Sequence, residues 1–555
     1  MYFQCLTALL IFLSLAPVWG AEHGAVATVH PLATDAAIEV LHRGGNAIDA
    51  TVAAALTLGV VDAHNSGIGG GCFLLIRRAN GEVLAIDGRE TAPMKATKDM
   101  FVRDGKPDAK LSLTGPLAIG TPGSVAAYQY AVTNFGKLKW AEIVLPAAHL
   151  AESGFKVDRA LANRLEGMSS ELKMYPGTRA IYFKADGSTY KPGDMFKQPD
   201  LAATYHALAE QGSDWFYKGA FAKAVGEWMK SNGGLIAEED FSNYKIKLRD
   251  PLRTTYRGYE IIGFPPPSSG GVHVAQILNI LEQFDLKSMG YGSADFVHVV
   301  TEAMKLAFAD RAFWLGDPDF APVPRGLITK DYARALAKRI RLDKSMDVGT
   351  HGAPPNATSD TFGKHTTHFA VADAEGNWAA CTATINTTYG AKVVVPGSGV
   401  VMNNQMDDFS AQPGVANYFG LVGAEANAIA PGKRPLSSMS PTIVLKGGKP
   451  ILSIGAAGGP TIISQTLLGL IATLDFNMQP REALNQARFH HQWLPNELLV
   501  EKKFDRAILQ ELEKRGHKLK VVDSIGACQM IGWTESKQTF SPAHDPRVAG
   551  KASNF

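Results

Sequence analysis

His365-Thr-Thr-His-Phe-Ala-Val-Ala-Asp-Ala-Glu-Gly-Asn-Trp-Ala-Ala-Cys-Thr-Ala-Thr-Ile-Asn-Thr-Thr-Tyr-Gly390 is the stretch on which the reading of this chain turns. Thr366 to Ala372 alternates in strand fashion, Asp373 to Asn377 is turn chemistry, and Ala379 to Thr384 returns as a second strand. Upstream, Gly349-Thr-His-Gly-Ala-Pro-Pro-Asn-Ala-Thr-Ser-Asp360 has no apolar period and reads as an exposed loop. A loop that gives way to a threonine at the head of a strand is a natural place for a cut. Cleavage before Thr366 would leave a hydroxyl and an α-amine on one residue, and an amine with a reference pKa of about 7.7–8.0 can take the hydroxyl's proton at neutral pH. Taken alone, a Thr-Thr pair is also an ordinary β-favouring start to a strand.

Working outward, Thr34 to Leu41, stopped by Gly44-Gly45, and Ala47 to Val60, capped by Asn46, read as two helices. Phe73 to Arg77 and Val83 to Asp87 flank Ala79-Asn80-Gly81 as a β-hairpin. Residues 140 to 345 are mostly helical in pattern, with Ala294 to Leu315 the longest periodic segment. Pro450 to Gly455 is a buried-strand run leading through Gly458-Gly459-Pro460 into a helix over Thr461 to Leu474, so a glycine pair sits at a helix start. No repeat of fixed period and no low-complexity tract interrupts the chain.

With 46% hydrophobic residues the composition is that of a globular protein, and Lys+Arg 55 against Asp+Glu 53 leaves a formal charge of +2. That balance offers no one-signed field for nucleic acid or an anionic membrane, which points to a small-molecule partner. Leu6 to Val18 is an apolar run ending in Val18-Trp19-Gly20-Ala21, the pattern of a signal peptide cut after Gly20, although no Lys or Arg precedes it. The run is too short for a stable membrane anchor, so a periplasmic or secreted protein is expected. Cys72, Cys381 and Cys528 are too scattered for a disulfide framework or a zinc site and read as buried small hydrophobes.

His365-Thr-Thr-His368, Asn386-Thr-Thr-Tyr-Gly390, Asn403-Asn-Gln-Met-Asp-Asp-Phe-Ser410, Lys433-Arg-Pro-Leu-Ser-Ser-Met-Ser-Pro441 and Gly458-Gly459, in this order, resemble the γ-glutamyltransferase family. So do Gly44 to Ala50, Gly67 to Gly71, Asp87-Gly-Arg-Glu-Thr-Ala-Pro93 and Pro265 to Gly271, so the resemblance covers nearly the whole chain. It implies an α/β N-terminal-nucleophile hydrolase fold, a four-layer αββα sandwich, made as a proenzyme. Residues 1–20 would be the signal peptide, 21–365 a large subunit and 366–555 a small one, paired as a heterodimer within one composite domain. By this resemblance Thr366 is the nucleophile, Thr384 aims its hydroxyl, and Gly458 and Gly459 donate N–H groups to the oxyanion. Arg89, Ser437 and Ser438 take the substrate α-carboxylate, while Asp408, Gln405 and Asn386 take its α-ammonium.

The implied reaction cleaves glutathione and related γ-glutamyl compounds through an ester on Thr366 and passes the acyl group to water, an amino acid or a dipeptide. No metal or organic cofactor is implied, and His490-His491 lacks the spacing of a zinc helix. Three departures from the family pattern stand out: Cys72 after the glycine run, His365 before the expected cut, and Phe419 where relatives often carry tyrosine in the Pro413 to Gly423 loop. The nearest alternatives are an acylase or a poly-γ-glutamate depolymerase of the same fold. A dinucleotide loop at Gly455 to Gly459 with Asp475, or an exported binding protein that never matures, would be of a different class.

Overall fold

The computed structural model describes residues 23–357, 359–362 and 370–555. The expected signal peptide, His365 and Thr366 lie outside the described residues. Two antiparallel sheets stack at the centre. The larger has seven strands in the order Lys551–Asn554, Gly24–Thr28, Ala370–Asp373, Trp378–Thr384, Gly71–Arg77, Val83–Gly88 and Lys247–Arg249. The other has six: Thr539–Ala543, Ala527–Thr534, Lys449–Ala457, Thr442–Lys446, Tyr259–Gly263 and Leu252–Tyr256. Both combine strands from before residue 363 with strands from after 369, so the two halves of the chain share one core.

The strand Gly71–Arg77 shows why its sequence is a continuous apolar run. Phe73 and Leu75 face the layer between the sheets, where the Phe73 ring stacks on Phe264 at a centroid distance of 5.0 Å, whereas Leu74 and Ile76 belong to the core under the outer helices. Both faces are covered, so alternation disappears. Helices Ala47–Val61, Ser124–Phe135 and Trp140–Ser153 cover the outer face of the seven-stranded sheet, while Gly270–Leu281, Ala294–Trp314 and Thr461–Leu474 cover that of the six-stranded one. This is the expected αββα layering.

Local signals account for the boundaries. Asn46 Oδ1 accepts from the N–H of Ile48 at 2.9 Å and of Asp49 at 3.1 Å, and Asp49 returns the bond to the Asn46 N–H at 3.0 Å, a full capping box. The helices expected at Ala47 to Val60, Ala294 to Leu315 and Thr461 to Leu474 run Ala47–Val61, Ala294–Trp314 and Thr461–Leu474. One correction concerns residues 140 to 345, which also contain the strands Lys247–Arg249, Leu252–Tyr256 and Tyr259–Gly263. Arg253 and Thr255 take exposed positions on the edge strand Leu252–Tyr256, and in Lys247–Arg249 the apolar Leu248 is exposed while Arg249 is buried, which hides the period; Arg257 and Gly258 make the tight turn at φ of 46° and 82°. Cys72, Cys381 and Cys528 are free and buried, as expected.

Candidate active site

A cavity of about 920 Å³ opens where the strand ends Thr384 and Ala457 meet the segments at Arg89, Gln405 to Asp408 and Ser437-Ser438. Every expected site residue among the described residues lines it.

Arg89 follows the strand Val83–Gly88 and is fully buried. Asp87 fixes its backbone, accepting from Arg89 N–H at 2.8 Å while held by Arg434 at 2.7 Å and Arg249 at 2.8 Å. The Arg89 guanidinium donates through Nε to the Pro435 carbonyl at 3.1 Å and through Nη2 to Asp408 Oδ2 at 2.5 Å. Asp408 Oδ2 also accepts from Gln405 Nε2 at 2.7 Å, and Gln405 Oε1 is buried with no partner among the described residues. The residues expected to read the two charges of an amino acid are thus already paired with each other. Their unshared atoms, Asp408 Oδ1 and Gln405 Oε1, are acceptors, which suits an ammonium.

The hydroxyls follow one pattern. Thr384 Oγ1 accepts from Asn386 N–H at 2.8 Å, Ser437 Oγ from Met439 N–H at 3.2 Å, and Ser438 Oγ from Arg311 Nη2 at 3.2 Å. Each oxygen is engaged by a protein donor, so each O–H is left to point elsewhere. Asn386 meets this geometry at φ 79°, a left-handed conformation that asparagine tolerates, with Nδ2 bonded to the Asn404 carbonyl at 3.0 Å.

Arg311 was not expected. It lies on the helix Ala294–Trp314 and also donates to Ser269 Oγ at 2.9 Å, yet no carboxylate pairs with it among the described residues. Burial pulls its pKa down to about 10, opposed by the charge of Asp408, so it stays cationic at neutral pH and makes the Ser437-Ser438 corner electropositive. The available signal was an Asp310-Arg311 pair inside an apolar helical run.

Gly458 and Gly459 adopt φ of 134° and 58°. Neither N–H has an acceptor among the described residues. A Cβ at Gly458 would meet Thr461 Oγ1 at 2.6 Å, and one at Gly459 would meet the Phe419 ring at 2.6 Å, so space as well as φ requires glycine. Two free N–H groups turned out of a strand end can bind an oxyanion.

The Phe419 ring therefore lies against Gly459. Its loop is tied down by Gln492 Nε2 to the Phe419 carbonyl at 3.0 Å and by Tyr418 N–H to Asp407 Oδ2 at 3.1 Å. Tyr418 lines the cavity as well and is 60% exposed.

The sequence features set aside are engaged elsewhere. His490 bonds Ser464 and Gln492 at 3.0 Å each, and His491 bonds Trp493 N–H at 3.0 Å and Asn496 at 3.2 Å. Asp475 accepts from Tyr256 at 2.7 Å and pairs with Arg257 at 2.5 Å, which leaves it no ribose to hold. His298, Glu302 and His517 converge, but the imidazoles bond each other at 2.8 Å and Lys305 sits 2.7 Å from Glu302.

The gamma-glutamyltranspeptidase family model matches residues 33–555. The chain is 46% identical to the glutathione hydrolase proenzyme of Escherichia coli (strain K12), over 95% of this chain and 91% of that protein. Among solved structures, cephalosporin acylase from Bacillus halodurans has a TM-score of 0.86 at 27% identity, covering 98% of this chain and 99% of that one. Gamma-glutamyltranspeptidase from Helicobacter pylori has a TM-score of 0.58 at 41% identity, covering 60% of this chain and 95% of that one.

Proposed function

Because this chain belongs to the gamma-glutamyltranspeptidase family, we propose that it is a glutathione hydrolase and γ-glutamyltransferase whose nucleophile is Thr366, freed by cleavage of the His365–Thr366 bond. The αββα layering is that of the N-terminal-nucleophile hydrolases.

The observation that carries the reading is the convergence of two N–H groups without an acceptor among the described residues, at Gly458 and Gly459, with hydroxyls poised to donate and with the Arg89–Asp408 pair. Register supports the nucleophile. Val371 pairs with Ala379 and Ala372 with Trp378, and a mature chain that began at 366 and kept this register would set its first residue opposite Thr384. The share of this chain that the Helicobacter pylori chain covers is close to that of residues 21–365, which supports a large subunit ending there.

In the cycle we infer, the Thr366 α-amine takes the hydroxyl proton as its oxygen attacks the γ-carbonyl of glutathione. The Gly458 and Gly459 N–H groups hold the oxyanion, and the Thr384 hydroxyl steadies the nucleophile. The ammonium returns the proton to the departing nitrogen, the C–N bond breaks, and cysteinylglycine leaves a γ-glutamyl ester. Water or the amine of an amino acid or dipeptide then repeats the sequence and restores Thr366. Arg89, Ser437 and Ser438 hold the α-carboxylate. Asp408, Gln405 and Asn386 hold the α-ammonium, which an acylase substrate without that ammonium would leave unsatisfied.

No helix among the described residues is long and apolar enough to cross a membrane. The run Leu6 to Val18 supports export to the periplasm or beyond, with cleavage after Gly20.

Maturation tests the proposal. The protein should separate on a denaturing gel into two chains, the smaller beginning at Thr366 by mass spectrometry, whereas Thr366→Ala stays one folded, inactive chain. Hydrolysis of a γ-glutamyl anilide by protein with no chain beginning at Thr366 refutes it.

A further inference from the structure

The γ-glutamyl assignments leave one wall of the cavity unused. Past Thr384 the chain is bonded to the loop Asp62 to Ser66, Ile385 N–H donating to the Asn65 carbonyl at 3.2 Å and Tyr389 N–H to the His64 carbonyl at 2.9 Å. Asp62, His64, Asn65 and Ser66 all line the cavity, and next to them so does Arg164 on the helix Arg159–Gly167. This wall therefore adjoins the catalytic strand end and belongs to the same space.

Three arginines line that space, and two are committed. Arg89 pairs with Asp408, and Arg547 pairs with Glu501 at 2.5 Å and Asp545 at 3.3 Å. The Arg164 guanidinium makes no hydrogen bond or ion pair among the described residues. The carboxylate beside it is already engaged, since Asp62 Oδ1 accepts from Asn65 Nδ2 at 2.9 Å and lies 3.0 Å from His64 Nε2. The charge of Arg164 still reaches that loop, helping to hold down the pKa of Asp62, which burial raises to about 7, and adding to the burial that lowers His64 to about 3. An unpaired guanidinium facing a cavity that also holds an amide-cleaving centre is suited to an anion on the substrate.

Glutathione supplies one. Its scissile amide separates two charged regions: the glutamyl α-carbon, already provided for, and the C-terminal carboxylate of the departing dipeptide. Resting on the glutathione reading above, we propose that Arg164 binds the carboxylate of the group on the amine side of the scissile bond. That group is the leaving dipeptide during acylation and the amino acid or dipeptide acceptor during transfer. Arg164 touches neither the γ-carbonyl nor the nucleophile, so its part is to select the leaving group and acceptor.

The test compares glutathione with its C-terminal glycinamide analogue, which differs only in lacking that carboxylate, on wild type and Arg164→Ala. Wild type should favour the acid in kcat/KM by about fivefold, the upper range for an exposed ion pair, and Arg164→Ala should lose the preference. With glycylglycine as acceptor and a γ-glutamyl anilide as donor, the same variant should raise the acceptor KM by a similar factor. Equal rates on acid and amide in wild type, or a preference that survives in Arg164→Ala, overturns the assignment to Arg164 alone. A wild type that cleaves neither peptide refutes the glutathione reading, and this proposal with it.

Discussion

Replacing Arg311 with methionine should separate substrate recognition from stability. Methionine has similar reach but cannot donate, so Ser438 Oγ and Ser269 Oγ lose their bonds at 3.2 and 2.9 Å. Without its donor, the Ser438 hydroxyl is free to turn and no longer presents its proton to the substrate α-carboxylate. One hydrogen bond to a charged group is worth about 1.5–3 kcal/mol, which sets the loss in kcat/KM for a γ-glutamyl anilide at about 10- to 150-fold. The carboxylate is bound alike in ground and transition states, so KM should carry most of the change and kcat little. Stability should move the other way or hardly at all, because a desolvated cation with no carboxylate partner is costly and a buried apolar replacement is often neutral or better. Competitive inhibition by L-glutamate should weaken in the variant, while that by 4-aminobutyrate, which lacks the α-carboxylate, should not. An unmoved ratio of the two inhibition constants in a folded, processed variant would show that Arg311 does not act through Ser438.

Arg89→Ala or Asp408→Ala should cost about 2–5 kcal/mol in kcat/KM, since truncating either leaves its buried partner and a substrate charge unpaired. Processing should survive both, and unchanged kcat/KM on glutathione would overturn the assignment of the recognition corner. Phe419→Tyr should raise the ratio of transfer to hydrolysis at fixed acceptor concentration, because a hydroxyl able to bond across the cavity would stabilise the closed loop by about 0.5–1.5 kcal/mol. If Tyr418→Phe raises hydrolysis while Phe419→Tyr changes nothing, the latch belongs to Tyr418, and if neither moves the ratio there is no latch.

What the sequence reveals here divides by the range of the forces involved. The glycine pair, its following helix and the hairpin before Arg89 are set by neighbours a few residues away, and period, caps and turn residues mark them within a residue or two. The Arg89–Asp408 bond joins residues 319 apart, so no local pattern announces that the two recognition charges meet before any substrate arrives. Arg311 and Arg164 escape notice for opposite reasons. One lies inside an apolar helix where a charge reads as an irregularity, and the other on a polar helix where it reads as solvent-facing. Only the sheet stacking and the loop at Asp62 give each of them a role. The edge hairpin at Leu252–Gly263 was missed because exposed arginines and threonines break the apolar alternation that a half-buried strand shows.

The polarity of the cavity bears on substrate choice more than any one residue does. Around the Ser437-Ser438 corner and the glycine pair the protein offers donors: two hydroxyls whose oxygens are already engaged, the Arg89 and Arg311 cations behind them, and two bare N–H groups. Beside them, Asp408 Oδ1 and Gln405 Oε1 offer only acceptors. A ligand that satisfies this layout carries one anion and one cation close together, with a carbonyl a short chain away that becomes an oxyanion on attack. An α-amino acid acylated through its side-chain carboxyl has that arrangement. A glutaryl group lacks the cation, so binding it would bury two acceptors without donors, at about 1–3 kcal/mol or more for each unsatisfied group. On the proposed reading, discrimination against acylase-type substrates should therefore be made at Asp408 and Gln405, although the fold around them is shared.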